Sequence, residues 1–248
     1  MPAIYQNFSK GLVQTSLGNI DPRGTTATKQ YELGTELIKK DQKWRYCKNG
    51  AAPLAPGKLV QASVPVATHT SLAPAVTAVG SKTVTISDIG GGGATANQYA
   101  GGFLQVEDGA GEGYMYRVAS HPAAGANESL VVTLEEGIKV AFDANTDLGL
   151  IANPWSGALV ASEAETSHLL GVATQTIPAG QYFWAQVGGP CSVLAQGAVT
   201  VAQHVVRSNG TDGAVEAAVD ATDTQQVVGV VINTGANTEY AAIHLTLE

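Results

Sequence analysis

From Thr166 to Val206 the chain runs for 41 residues without an Asp, Glu, Lys or Arg. Desolvating a charge is expensive, so a stretch that avoids charge for this long points to burial from two directions. One direction is the core of the domain. The other is either a subunit interface, whose centre is typically poor in charge and rich in aromatic residues, or a second layer of the same chain. Tyr182, Phe183 and Trp184 sit in the middle of the stretch, and on a strand their side chains must point to both faces. Under the first reading Tyr182 and Trp184 meet a neighbouring subunit. Under the second they belong to a sandwich strand covered on both sides within one chain.

Strand signals dominate elsewhere too. Apolar and polar positions alternate in short runs bounded by Gly, Pro, Asn or Asp. Val84 and Ile86 oppose Thr83 and Thr85, and Tyr114, Tyr116 and Val118 oppose Met115 and Arg117. The same pattern joins Leu130, Val132 and Leu134, then Val199, Val201 and Val205, and finally Ile243, Leu245 and Leu247. Val227–Ile232 is apolar apart from Gly229 and reads as a strand buried on both faces. No dozen-residue window keeps the three-and-four apolar spacing of a capped helix. Glu32–Lys43 comes nearest, but Trp44 and Tyr46 alternate with Arg45 and Cys47 directly after it. A hairpin turning near Asp41–Gln42, with a second turn at Asn49–Gly50, accounts for the segment better.

The expected fold class is therefore all-β, with barrel or sandwich regions and an extended N-terminal arm. Composition shifts place the arm at 1–30, a first β region at 31–157 and a denser, barrel-like domain at 158–248. A chain of 248 residues is long enough for one large β domain or two small ones, each with its own core.

Charged residues make up 14% of the chain, against about a quarter in a typical soluble protein. The membrane explanation fails, because Leu59–Ser81, though free of charge, carries Pro65, Pro74 and several hydroxyl residues. No run of about 20 apolar residues exists to span a bilayer, and the N-terminus lacks the apolar stretch of a secretion signal. Residues 1–50 hold eight Lys/Arg and four Asp/Glu, whereas the rest holds five and seventeen. Such a segment suits an acidic partner surface; nucleic acid would be repelled by the acidic remainder. Lys39, Lys40, Lys43 and Arg45 form the densest basic cluster, flanking Trp44, and are the candidate interface with that partner. The alternative is that these cations simply solvate a hairpin. Two cysteines, Cys47 and Cys191, form neither a disulfide framework nor a CxxC zinc pattern, and read as reduced thilos of a protein made in the cytoplasm.

No constellation carries catalytic chemistry. The run Gly90–Gly93 lacks the following Lys and Ser/Thr of a phosphate loop and reads as a flexible loop. Asp108–Gly113 lacks the alternating oxygen ligands of a calcium loop and reads as an acidic hairpin turn. Glu135 and Glu136 are adjacent, so on a strand they cannot flank one glycosidic bond. His69, His121, His168, His204 and His244 are scattered without metal-ligand spacing. The expectation is no catalytic residue, no metal and no cofactor.

One pattern does point to a family. Gly171-Val172-Ala173, then Ile177-Pro178-Ala179-Gly180, Tyr182–Gly188, Gly197, Val205-Val206, Asp212–Val215, Val228–Val231 and Ile243–Leu247 follow one another in order. This series resembles the small β-barrel capsid decoration, or cement, proteins of tailed bacteriophages. Leu33-Gly34-Thr35, Trp44-Arg45-Tyr46 and Ala55–Val60 are similar to the N-terminal part of other phage virion proteins. The resemblance covers 31–60 and 158–248 and leaves 61–157 unmatched. It implies a homotrimer on the exterior of the virion head, assembled in the host cytoplasm, with the major capsid protein as partner and neither nucleic acid nor membrane bound. Family barrels are shorter chains, so the arm and middle region need a separate role. The competing class is a head- or tail-fibre module binding a host surface glycan through an exposed Trp155 or Trp184; regular shaft repeats are missing from the sequence.

Overall fold

The computed structural model describes residues 20–219 and 225–248, together with the backbone of 12–14. Most of the expected N-terminal arm thus lies outside the described residues. The strands in chain order are β1 (Leu12–Gln14), β2 (Glu36–Lys39), β3 (Gln42–Asn49), β4 (Lys58–Gln61), β5 (Thr83–Ile86), β6 (Phe103–Asp108), β7 (Met115–Ser120) and β8 (Leu130–Leu134). They continue as β9 (Asp147–Ile151), β10 (Ser156–Val160), β11 (Leu169–Ala173), β12 (Tyr182–Leu194), β13 (His204–Arg207), β14 (Val215–Ala217), β15 (Val227–Asn233) and β16 (Tyr240–Thr246). The fold is all-β, and no α-helix occurs among the described residues.

The chain divides into two compact units, one made of Met1–Ser63 with Pro154–Glu248 and the other of Val64–Asn153. This differs from the serial division at residue 157 expected from composition. The reason is strand pairing: β3 and β4 have their partners in β10, β11 and β12, so the chain leaves the first unit after β4 and returns at β10. The middle region is an insertion rather than half of a leading domain.

In the first unit β3, β10, β4, β11 and β12 close on themselves as a barrel. β10 runs parallel to β3 and antiparallel to β4, β4 pairs with β11, β11 with β12, and β12 with β3. Phe183, Cys47, Val60, Leu170 and Ala185 are buried together in one cluster of this ring. β12 is long enough to serve twice. Its first half pairs with β3, and from Gly188 onward it pairs with β16. At Gly189 the backbone has φ +79°, and a Cβ there would collide with the Asp41 carbonyl oxygen, so only glycine fits the changeover. A second ring then runs β12, β16, β15, β13, β14 and is joined by a bridge from Ala195 to Val215. Val193, Val205, Val228, Val231, Ile243 and Leu245 are among its buried cluster.

In the inserted unit the sheet order is β5, β8, β7, β6, β9. Its two edges are joined by one short segment, in which Leu72 bridges Leu148 of β9 and Pro74 bridges Ile86 of β5. Closure removes the open edges at which β-sheets aggregate. Val84, Ile86, Leu104, Tyr116, Val118, Leu130 and Val132 fill the inside, as period-two alternation dictates. Asp108–Gly113 is the expected turn between the paired strands β6 and β7. Gly90–Gly93 is a hydrogen-bonded turn, Gly93 N–H donating to the Gly90 carbonyl, followed by a bridge between Ala94 and Ala124.

Two strand expectations need correction. Val199, Val201 and Val205 do not share a strand: Val199 makes an isolated bridge to Gly235, Ala202 takes a left-handed φ of 72°, and Val201 is exposed in the turn between. β15 is not covered on both faces either. Val228 and Val231 are fully buried, but Val227 and Ile232 are 42% and 46% exposed, because β15 lines a single ring and its register shifts after Val231.

Candidate interaction site on the first hairpin

The β2–β3 hairpin turns at Lys40–Asp41, with Lys40 at φ 56°, next to the position read from sequence. Along β3 the side chains split between two faces. Trp44 and Tyr46 point one way and pair across the sheet with Gln186 and Trp184 of β12, while Arg45 and Cys47 oppose Ala185 and Phe183 on the other. Leu37, opposite Trp44 in the hairpin, completes the aromatic face.

That aromatic face is covered by the chain's own residues 20–33. Ile20, Tyr31 and Leu33 pack on Leu37, Trp44, Tyr46 and Trp184. The Tyr31 ring meets Tyr46 edge-on at 5.3 Å between centroids, and Tyr182 stacks on Tyr46 at 5.8 Å. The Tyr46 hydroxyl accepts a hydrogen bond from Gln30 N–H at 3.1 Å, which pins the covering segment down. A bridge between Thr26 and Tyr182 adds a backbone tie. Trp44 and Trp184 are consequently only 3% and 4% exposed. The uncharged stretch through β12 is covered on one side by residues 20–33 and on the other by the barrel interior. Trp44 and Trp184, expected at a subunit interface, are core residues of this chain, and Tyr182 is half-buried beside them. Trp155, the other aromatic considered for a glycan, is half-buried, with the Arg45 guanidinium 5.8 Å from its ring centroid.

The four cations separate into two pairs. Arg45 is bound to Glu36 at 3.2 Å and to the Glu248 carboxylate, and donates to the Gly34 carbonyl at 3.0 Å. Lys43 lies 3.6 Å from Glu36. Lys39 and Lys40 are exposed at the turn and make no salt bridge among the described residues. The hairpin therefore joins a neutralised patch to an uncompensated one.

Next to this turn lies a cavity of about 240 Å³, lined by Asp21, Arg23, Lys39, Lys40, Trp44 and Thr174 with their neighbours. A larger one of about 420 Å³ shares Arg23, Gln42, Thr174 and Gln186 with it and extends to Tyr240 and Cys191. Neither was visible in the sequence, since their walls come from several segments far apart in the chain.

Perturbed titratable groups are explained by burial. Cys47 and Cys191 are free, buried thiols; burial pushes both up, Cys191 to about 12, so neither is a nucleophile at neutral pH. In the inserted unit His69, Tyr99 and His121 form a buried chain. Tyr99 N–H donates to His121 Nε2 at 3.0 Å, His121 Nδ1–H then faces the Pro122 carbonyl at 2.8 Å, and the Tyr99 hydroxyl bonds His69 Nδ1. Burial pushes Tyr99 up to about 12 and His69 below its ordinary value, the backbone of Gly93 acting against the latter. No group of three His, Cys, Asp or Glu with metal-holding geometry occurs among the described residues. Comparison with protein-family models, with curated proteins and with solved structures returned no match.

Proposed function

We propose that this chain is a non-catalytic structural protein of a tailed-phage virion, which decorates the outside of the capsid and ties neighbouring capsid subunits together. The observation that carries this reading is the agreement between the family-like segments and one architecture. Gly171–Ala173 lies in β11, Tyr182–Gly188 in β12, Val205-Val206 in β13, Val228–Val231 in β15 and Ile243–Thr246 in β16. These strands are the successive staves of two fused rings. Sheets closed into rings suit a protein whose task is to bear load rather than to turn over substrate. Burial also accounts for the shifted pKa values of Cys47, Cys191, Tyr99 and His69 among the described residues.

In this role the exposed Lys39 and Lys40 meet acidic capsid surface, where charge complementarity sets register and encounter rate more than total affinity. The body assembles as a homotrimer through surfaces other than the aromatic face. Two measurements test the reading. Light scattering should return a mass near three times 25.4 kDa. Co-sedimentation with heads assembled from the major capsid protein of the same genome should saturate at a fixed copy number. A chain that fails to bind such heads at micromolar concentration, whatever its own mass, refutes the decoration role.

A further inference from the structure

We propose that the cavity beside the β2–β3 turn is a binding site for a carboxylate, either free or on an acidic side chain. Its walls bring three cations to one place: Arg23 from the covering segment, and Lys39 and Lys40 from the turn. None of the three makes a salt bridge to a described carboxylate within 4 Å. A second observation is independent of charge. Trp44 and Thr174 belong to the same wall, and the Trp44 indole Nε1 and the Thr174 hydroxyl are buried atoms without a hydrogen-bond partner. Leaving a buried donor unsatisfied is destabilising, so such groups in a native fold call for an acceptor.

The nearby amides of Gln42 and Gln186 donate their Nε2 hydrogens to the Pro190 carbonyl at 2.8 Å, and as placed their carbonyl oxygens bond neither Trp44 Nε1 nor the Thr174 hydroxyl. What remains is a set of donors and positive charges needing an anionic acceptor with two oxygens. A carboxylate meets that need: its oxygens can accept from the indole N–H, the hydroxyl and the Arg23 fork. Asp21 is the one acid on the wall, and its Oδ1 already accepts Arg23 N–H at 2.9 Å. Its charge selects against a doubly charged phosphate and leaves a singly charged carboxylate as the preferred ligand. The site does not depend on the capsid reading, and either can fail without the other.

The indole N–H of Trp44 reports directly on occupancy. The chain has three tryptophans, so a ¹⁵N correlation spectrum of the wild-type protein shows three indole signals, with Trp44 assigned through Trp44→Phe or by its relaxation coupling to Leu37. Titration with sodium acetate should move the Trp44 signal along a saturating curve, while Trp155 and Trp184 stay in place and sodium chloride at equal ionic strength has no effect. Arg23→Gln, on an exposed segment, should weaken the acetate affinity about tenfold, the loss of one charge-assisted bond. N-acetyl-aspartate amide saturating at lower concentration than acetate would place the natural carboxylate on a protein side chain; acetate saturating first would make it a free acid. A Trp44 signal that does not saturate, or one that moves equally with chloride or phosphate, overturns the proposal.

Discussion

Both units close strands into rings, but they show it differently in their strands. In the inserted unit four of the five strands have one wetter face, the exception being β9, buried at Leu148, Gly149 and Leu150. β7 buries Tyr116 and Val118 and exposes Met115, Arg117 and Ala119; β8 buries Leu130, Val132 and Leu134 and exposes Val131. In the first unit β11 is buried at all five positions, and β12 is buried continuously from Phe183 to Gly189. The cause is topological. β12 is a stave of two rings and also carries the covering segment 20–33 on its aromatic face, so neither face reaches water. Within the charge-free run, β11 and Phe183–Gly189 thus record double coverage within one chain, while its turns at 178–180 and 200–203 are exposed.

This comparison can be broken most easily by a charge. Ala185→Lys places an unpaired ammonium in β12 where both sides are protein, and should cost about 4 kcal/mol or more, enough to unfold the unit. Val131→Lys on the outer face of β8 should change stability by no more than about 0.5 kcal/mol. Chemical denaturation of both variants checks the pair, and comparable losses would erase the distinction between the units. Ring interiors, by contrast, should respond alike: Phe183→Ala and Leu130→Ala each leave a cavity and should cost about 2–5 kcal/mol.

Glycines sharpen the contrast at smaller scale. Gly57 has φ +71° and its Cβ would strike the Tyr240 ring, so Gly57→Ala should destabilise by about 1–3 kcal/mol. Gly91, within the glycine run of the inserted unit, has open space around it and no left-handed φ; Gly91→Ala should be neutral or stabilising by up to about 1 kcal/mol. Thermal melts distinguish the two outcomes.

The smallest expected effect is on acid stability. Burial holds the folded-state pKa of His69 below its ordinary value of 6.5, so folding favours the neutral ring. The stabilisation is complete above 6.5 and is lost as pH falls through that value toward the folded pKa. The inserted unit should therefore melt lower as pH drops below 6.5, and His69→Gln should flatten that dependence; His168, which burial also holds below its ordinary value, gives the first unit a dependence of the same sign that His69→Gln leaves in place.

The inserted unit's strands were legible because alternation is a local signal, and so was the β2–β3 hairpin, where Trp44 and Tyr46 announce a strand directly after the turn. Double burial of β12 was legible as absence of charge, but its source was not. Periodicity says that both faces are covered, never by what, and the segment 20–33 that supplies one cover reads in sequence as a polar arm. The insertion was hidden for a related reason: pairing of β3 with β12 is a long-range choice that composition along the chain does not encode. Val201 misled because alternation runs across a turn whose left-handed Ala202 carries no sequence mark. The carboxylate cavity was invisible, since an indole without an acceptor exists only once segments far apart in the chain have met.

Hydrogen exchange of the β12 amides, at protein concentrations spanning dissociation of any oligomer, distinguishes burial of Phe183–Gly189 by the chain itself from burial between subunits. Protection from Phe183 to Val193 that persists unchanged in the monomer is the predicted result. Protection that disappears on dilution would contradict it, returning Tyr182 and Trp184 to a subunit interface.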